Sequence, residues 1–189
     1  MNITFDIDTY KTKFTGAAKQ YLFFTKIYFP NSISESSIPY YVRSSGIPDR
    51  SIEEVSVPYT GLTFKMGGNT ISYGDWMLSF NVDENGKILE LFNTWIDYVN
   101  ENKLYMKDQT LYLLDGNGTA TQTITLYGAY PKSIGAVQLD YASTDIATVD
   151  ITFAYQKYEF NSINSSVSNT IKSLLSSGIG NAISKGFGI

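Results

Sequence analysis

The segment WMLSFNVDENGKILELFNTWIDYVN, residues 76–100, decides the fold because its apolar period changes halfway along. Its first seven residues alternate between apolar and other side chains, which indicates a half-buried β-strand. After the polar turn NVDENG the apolar residues recur at steps of three and four, which predicts an amphipathic helix over about residues 87–100. That apolar stripe is formed by Ile88, Phe92, Trp95 and Val99. We therefore expect a strand followed by a helix that packs one face on a sheet.

Most of the remaining chain carries strand patterns. In the first half, the sequence predicts three extended segments, at residues 21–30, 38–45 and 55–66. It predicts a loop at GGNTISYGD, residues 67–75. In the second half, the turn DGNG at Asp115–Gly118 is a strong hairpin signal and precedes an alternating run. The runs AVQLDY, residues 136–141, and TVDITFAY, residues 148–155, also alternate and predict two more strands. These patterns together predict a mainly β domain with one flanking helix.

The composition excludes several classes of function. The 189 residues include no His and no Cys, so a His or Cys catalytic relay and a His or Cys metal site are both absent. Arg43 and Arg50 are the only arginines and the net charge is −4, which disfavours binding to phosphates or to an anionic membrane. We expect no enzymatic activity, no cofactor and no metal. The N-terminus shows no signal peptide and no apolar run is long enough to cross a bilayer, so we expect folding in a reducing cytoplasm.

The polar faces of the last predicted strands carry small, neutral or acidic side chains where Lys and Glu are more usual. Such a face would repel phosphates and would hold little tightly. It therefore suits the lining of a passage, and it suits an ordinary exterior equally well. The candidate lining residues are Gln138, Asp140, Thr148, Asp150 and Thr152.

Several strings occur together in a particular order. They include the turn Asp49–Ser51, a P-Y-x-G at Pro58–Gly61, D-W-x-L-S-F at Asp75–Phe80, and F-x-x-W at Phe92–Trp95. GAYP at Gly128–Pro131, expected to be a turn, and T-F-A-Y at Thr152–Tyr155 complete the set. The ordered set, which spans about residues 21–160, resembles the tail tube proteins of T-even-like contractile-tailed bacteriophages.

That resemblance implies a two-sheet β-sandwich or barrel with one flanking helix, a fold shared with type VI secretion tube proteins. It implies that six copies form a ring, that rings stack into a tube inside a contractile sheath, and that the genome passes through the lumen. The implied partners are copies of the chain itself, the tail sheath protein, and baseplate and tail-terminator proteins, with DNA as a non-specific passenger. The implied location is the virion tail. Candidate residues for contacts between subunits are Arg43, Arg50, Tyr59 and Lys65.

The resemblance ends near residue 160, so we expect a tail-tube domain over residues 1–160 and a C-terminal extension or arm over 161–189. The spacing of Ile163, Val167, Ile171 and Leu174 in that extension is typical of a short amphipathic helix. Two other functions remain open at this point. One is a baseplate protein of the same fold that initiates the tube. The other is a carbohydrate-binding or carbohydrate-hydrolysing β-sandwich, for which adjacent carboxylates such as Glu53 and Glu54 could supply the acids.

Overall fold

A computed structural model describes residues 16–30, 38–101 and 105–162 of the chain. The chain divides into two compact units. Of the described residues, the larger unit contains those within 25–111 and 124–161, and the smaller unit contains 16–24, 112–123 and 162. The predicted C-terminal helix and most of the predicted extension lie outside the described residues.

The described residues form nine strands, one α-helix and one short 3-10 helix. The strands are β1 Phe23–Lys26, β2 Val42–Ser45, β3 Arg50–Tyr59, β4 Leu62–Tyr73, β5 Trp76–Asn81, β6 Lys107–Leu114, β7 Ala120–Ile134, β8 Thr148–Ala154 and β9 Lys157–Ser162. The helices are α1, Lys87–Asn100, and the 3-10 helix, Ile38–Tyr41.

The strands make two sheets. The larger sheet has seven strands in the order β1-β6-β7-β8-β5-β2, with β9 paired to β7, and it does not close into a barrel. The other sheet is a ribbon of β3 and β4 alone. The prediction of a mainly β fold with two sheets and one helix is confirmed, and α1 has the predicted bounds of 87–100.

The core of the larger unit lies between α1 and the face of the sheet that β5 and β8 present to it. The Phe80 ring lies 5.1 Å from that of Phe92, and the Trp95 ring lies 5.9 Å from that of Phe153. The indole N–H of Trp95 donates a 2.8 Å hydrogen bond to the carbonyl oxygen of Tyr105, so its one polar atom is satisfied. The buried strand residues facing α1 include Trp76, Leu78, Phe80, Val149, Ile151 and Phe153.

The start of α1 is fixed by the turn that precedes it. Gly86 has φ of +66°, a left-handed conformation that glycine adopts without steric cost. The Asp83 carboxylate accepts the N–H of Ile88 at 3.0 Å and that of Lys87 at 3.1 Å, so it caps the first turn. The hydrogen bond from Ile88 is the main reason why the pKa of Asp83 lies below its ordinary value.

In the smaller unit the DGNG turn joins β6 to β7 as predicted. One carboxylate oxygen of Asp115 accepts the N–H groups of Asn117 and Thr119, each at 2.8 Å, and Gly118 has φ of +73°. The side chain of Asp115 thus organises the turn in the manner that favours Asp at such positions. The Phe24 and Tyr112 rings lie 6.3 Å apart in the same unit.

Five details of the sequence-based prediction are wrong. The predicted turn at Asp49–Ser51 is the start of β3, which begins at Arg50. Residues 136–141 are not a strand but belong to an irregular segment, residues 135–147, where the Asp140 carboxylate accepts the N–H of Ala142. GAYP is not a turn, since β7 runs through it to Ile134. The first half of the predicted strand 38–45 is the 3-10 helix. Residues 67–73 are part of β4 and not a loop.

Two glycines explain the error in β4. The pairing of β3 with β4 shifts register between Ile52 and Glu54, opposite the segment that begins at Gly67. A Cβ on Gly68 would lie 2.9 Å from the carbonyl oxygen of Glu53, so the two backbones approach too closely for a side chain. The glycine pair therefore marks a β-bulge within a continuous ribbon, which a sequence pattern does not separate from a loop.

Candidate assembly surfaces

The ribbon of β3 and β4 has one apolar face. In its register Tyr59 lies opposite Leu62, and the next two pairs along the same face are also apolar. Residues directly opposite each other in an antiparallel pair share a face, so six apolar side chains line one side of the ribbon. They are Val55, Val57, Tyr59, Leu62, Phe64 and Met66, with exposed fractions from 42% to 66%.

The other face of the ribbon is polar. Its side chains include Ser56, Thr63 and Lys65, and the Lys65 ammonium lies 3.0 Å from the Glu54 carboxylate. Both of these charges are exposed, so this ion pair contributes little to stability. The ribbon is therefore amphipathic, yet every residue of β3 and nearly every residue of β4 is exposed in the single chain.

The turn at the tip of the ribbon explains the regular register between the turn and the bulge. Thr60 has φ of +42° and Gly61 has φ of +80°. Two consecutive residues with positive φ are typical of the two-residue hairpin turns whose twist matches that of the flanking strands. The sequence carried this signal in the Thr-Gly step between two alternating runs, but it gave no indication that the ribbon stands apart from the main sheet.

A second surface lies on the face of the main sheet opposite α1. Because Val149, Ile151 and Phe153 are buried under α1, the alternate residues of β8 point to the other side. The register of β8 with β5 extends this face across two strands. It places Thr148 opposite Asn81, Asp150 opposite Ser79 and Thr152 opposite Met77.

The structure places only three of the five predicted lining residues on one face. Thr148, Asp150 and Thr152 share the polar face of β8, whereas Gln138 and Asp140 lie in the exposed irregular segment. Their role as lining residues stays a prediction.

Among the predicted contact residues, Tyr59 is on the apolar face of the ribbon and Lys65 on its polar face. Arg43 is exposed on β2. Arg50 begins β3, and its guanidinium lies 5.8 Å from the centre of the Tyr73 ring. Their role in contacts between subunits also stays a prediction. The sequence-based prediction missed the other five apolar residues of the ribbon.

Residues 36–159 match the family model described as T4-like virus tail tube protein gp19. The chain belongs to this tail tube family. It is 28% identical over 114 residues to the "Tail tube protein" of Serratia phage KSP90, and the match covers 56% of this chain. The chain spans 64% of the length of that curated relative. The predictions of a phage tail tube protein and of a location in the virion tail are thereby confirmed.

Solved structures with a similar fold include two chains of an extracellular contractile injection system and one of a prophage baseplate. A chain of the PVC sheath/tube terminator is 24% identical with a TM-score of 0.61, and the match covers 78% of this chain and 99% of that one. A chain of the PVC sheath-tube complex is 20% identical with a TM-score of 0.57, covering 85% and 100%. A chain of the anti-feeding prophage baseplate is 15% identical with a TM-score of 0.62, covering 78% and 97%. At these identities the likeness shows the fold.

Two further observations concern other classes of site in the part of the chain that the structure describes. No three side chains of His, Cys, Asp or Glu are grouped there in a way that could hold a metal ion. No helix there combines the length and the apolar character needed to cross a membrane.

Proposed function

We propose that this tail tube protein assembles through its ribbon into six-membered rings that stack as a hollow tube inside a contractile sheath. The observation that carries the proposal is the exposed apolar face of β3 and β4. A two-stranded ribbon is marginally stable in water, and contiguous apolar surface on a soluble chain is typical of a contact surface. No charged side chain interrupts the six apolar residues of that face, so a second copy of the chain can cover it without burying a charge.

The ribbon and the surface that receives it are different parts of the chain. Such a head-to-tail contact closes into a ring when the rotation between neighbours permits it. Within the described residues the main sheet also has three strands with one neighbour each, namely β1, β2 and β9. Joining such edges between subunits would cover backbone groups that otherwise invite unspecific pairing.

The two faces of the main sheet suggest which side meets the lumen. The helix-covered face holds the core, so the face available to a passage is the one with Thr148, Asp150 and Thr152. This face carries a carboxylate and hydroxyls and, at these positions, no cation that could bind DNA phosphates. DNA would then pass as a non-specific passenger, while α1 would face the sheath. Gln138 and Asp140 remain candidates for the same lining.

The remaining partners follow from the tube architecture. The tail sheath protein would surround the tube, and baseplate and tail-terminator proteins would contact its two ends. The tail-tube domain would comprise residues 1–160, and residues 161–189 would form an arm to a neighbouring subunit or ring. This role is structural and requires no catalysis and no cofactor.

Negative-stain electron microscopy of the purified chain tests assembly directly. A tube subunit should form rings and tubes without other proteins. A tube-initiating baseplate protein should form one ring at most. A chain that stays monomeric at high concentration would overturn the proposal.

A thiol-labelling experiment tests which face lines the lumen, and the absence of native Cys makes each introduced thiol unique. Biotin attached at Asp150→Cys should be protected from streptavidin in assembled tubes, because streptavidin is too large to pass through the tube wall into the lumen. Biotin at Asn93→Cys, on the exposed side of α1, is the matched control and should bind. The opposite pattern would assign the polar face to the exterior.

A further inference from the structure

At its base the ribbon continues into the rest of the larger unit through two neighbouring chain segments, one before β3 and one after β4. Arg50 and Tyr73 are the first and last residues of the ribbon and lie opposite each other. Just below them the N–H of Gly74 donates a 3.2 Å hydrogen bond to the carbonyl oxygen of Asp49. A ribbon attached only through two adjacent chain segments would pivot about its base, because no side-chain contact would oppose bending at that point.

A cluster of aromatic rings occupies this base. The Tyr73 ring meets the Tyr155 ring edge-on at 6.0 Å and the Tyr158 ring at 5.4 Å, with interplanar angles of 60° and 66°. Tyr158 in turn contacts Phe160 at 5.4 Å. Tyr155 directly follows β8, and Tyr158 and Phe160 lie on β9, so these rings belong to the main sheet or to the residue next to it. Edge-to-face geometry at such distances is the favourable arrangement for aromatic pairs.

Arg50 adds a contact from the other strand of the ribbon. Its guanidinium lies 5.8 Å from the centre of the Tyr73 ring, which is within the range of a cation–π interaction. The ring of Tyr73 is thus held between the opposing strand of the ribbon and the tyrosines of the main sheet. Tyr73 thus links β4 to the main sheet directly, and β3 through its contact with Arg50.

Tyr155 contributes to this cluster through the packing of its ring and not through its hydroxyl. It is buried and has no hydrogen-bond partner among the described residues. The same burial raises the pKa of Tyr155 above its ordinary value. Since a buried hydroxyl without a partner is unfavourable, this residue is explained by the packing of its ring against Tyr73 and Tyr158.

We propose that Tyr73, packed against Tyr155 and Tyr158 and contacted by Arg50, forms an aromatic anchor that fixes the direction of the ribbon before assembly. The anchor rests on the proposed function, because a fixed direction matters for assembly only if the ribbon reaches a second subunit. A ribbon held in its bound direction loses less conformational freedom on contact than one that pivots. Tyr73 and Arg50 are therefore positioning residues for assembly and need not touch the neighbouring subunit.

Pulsed electron paramagnetic resonance can measure the direction of the ribbon in a single chain. Spin labels at Ser56→Cys on the polar face of the ribbon and Asn93→Cys on α1 report one distance between ribbon and body. The measurement is made below the concentration at which the protein assembles. The distance distribution should be narrow in the parent chain, broad in Tyr73→Ala, and narrow again in Tyr73→Phe, which keeps the ring. Tyr112→Ala, which removes a ring from the smaller unit, is the matched control and should leave the distribution narrow.

The same variants, without labels, are compared for the rate of tube growth by light scattering. Tyr73→Ala removes two edge-on aromatic pairs and one cation–π contact. The loss of one such contact corresponds to roughly 3- to 10-fold, so Tyr73→Ala should slow growth by at least that factor. Tyr73→Phe should restore growth. Arg50→Lys keeps the positive charge but loses the flat guanidinium, so it should also broaden the distribution and slow growth.

A narrow distribution in Tyr73→Ala would overturn the anchor. A broad distribution with unchanged growth would overturn its link to assembly. If Tyr73→Ala fails to fold, Arg50→Lys decides, since Arg50 is exposed and its replacement leaves the core untouched. If the parent chain forms no rings or tubes, the proposed function fails, while the distance distributions still show whether the anchor holds the ribbon.

Discussion

Replacing Leu62 by Ala should weaken assembly while leaving the single chain as stable as before. Leu62 is 66% exposed and lies opposite Tyr59 on the apolar face, next to the turn of the ribbon. Full burial of a Leu side chain contributes about 1.5–3 kcal/mol, so covering the two thirds still exposed contributes about 1–2 kcal/mol. Most of this is lost with Ala. Because 1.4 kcal/mol corresponds to a tenfold change, the critical concentration for assembly should rise roughly 5- to 30-fold.

Sedimentation of tubes over a concentration series measures the critical concentration, and chemical denaturation of the unassembled chain measures the free energy of unfolding. The latter should change by less than about 0.5 kcal/mol, as is usual for surface substitutions. Thr63→Ala is the matched control, since Thr63 is the next residue of the same strand and points to the polar face. It should shift neither quantity appreciably.

Two results would refute the reasoning. An unchanged critical concentration for Leu62→Ala would mean that the apolar face stays exposed in the tube. An equal rise for Thr63→Ala would mean that the ribbon responds to any change and that its apolar face has no special role.

Three further variants address the stability of the single chain, each measured by denaturation. Asp83→Ala removes the carboxylate that caps α1 and should lower the free energy of unfolding by about 1 kcal/mol at neutral pH. The pKa of Asp83 is lowered in the folded chain. The stability difference between the parent chain and Asp83→Ala should therefore be complete above the ordinary Asp pKa and disappear as the pH falls through the lowered pKa. Phe92→Ala empties a fully buried site under the sheet and should cost about 3–5 kcal/mol. Tyr155→Phe removes a buried hydroxyl without a partner among the described residues, so it should be neutral or stabilising by up to about 1 kcal/mol, and a loss above that size would show that the hydroxyl is bonded.

The strand and helix at residues 76–100 were predictable because their periods are local properties of the chain. Alternation predicted which side of β5 is buried, and steps of three and four predicted the face of α1 that covers it. Trp76, Phe80, Phe92 and Trp95 are all buried as this reading requires. The same parity argument correctly placed Thr148, Asp150 and Thr152 on one face of β8.

Alternation failed where no neighbouring strand is available. Residues 136–141 have the period of a strand, but Leu139 is 84% exposed and Tyr141 is fully exposed. A strand exists through hydrogen bonds to a partner, and the pattern of a single segment carries no information about that partner. The reverse error occurred at Gly67 and Gly68, where the partner β3 holds glycines in an extended ribbon.

The candidate surfaces were predictable to a different extent. The apolar face of the ribbon is encoded by alternation on both sides of the Thr-Gly step, so its six residues could have been identified from the sequence. That they are exposed could not, since an alternating strand usually covers its own sheet. The partners of Tyr73 in the main sheet could not be predicted either, because Tyr155 and Tyr158 meet its ring only through the fold.

In the proposed assembly, folding and contacts between subunits draw on separate parts of this chain. The core under α1 is closed by residues of the same chain, so the subunit can reach its fold before it meets another copy. No residue of the ribbon is fully buried in that fold, and nearly all of its residues remain exposed. Its apolar face therefore gains stability only on contact with a neighbour. Such a chain can remain folded at low concentration and still associate strongly once a growing tube end presents the complementary surface. A chain that used one core for both folding and assembly could not do both.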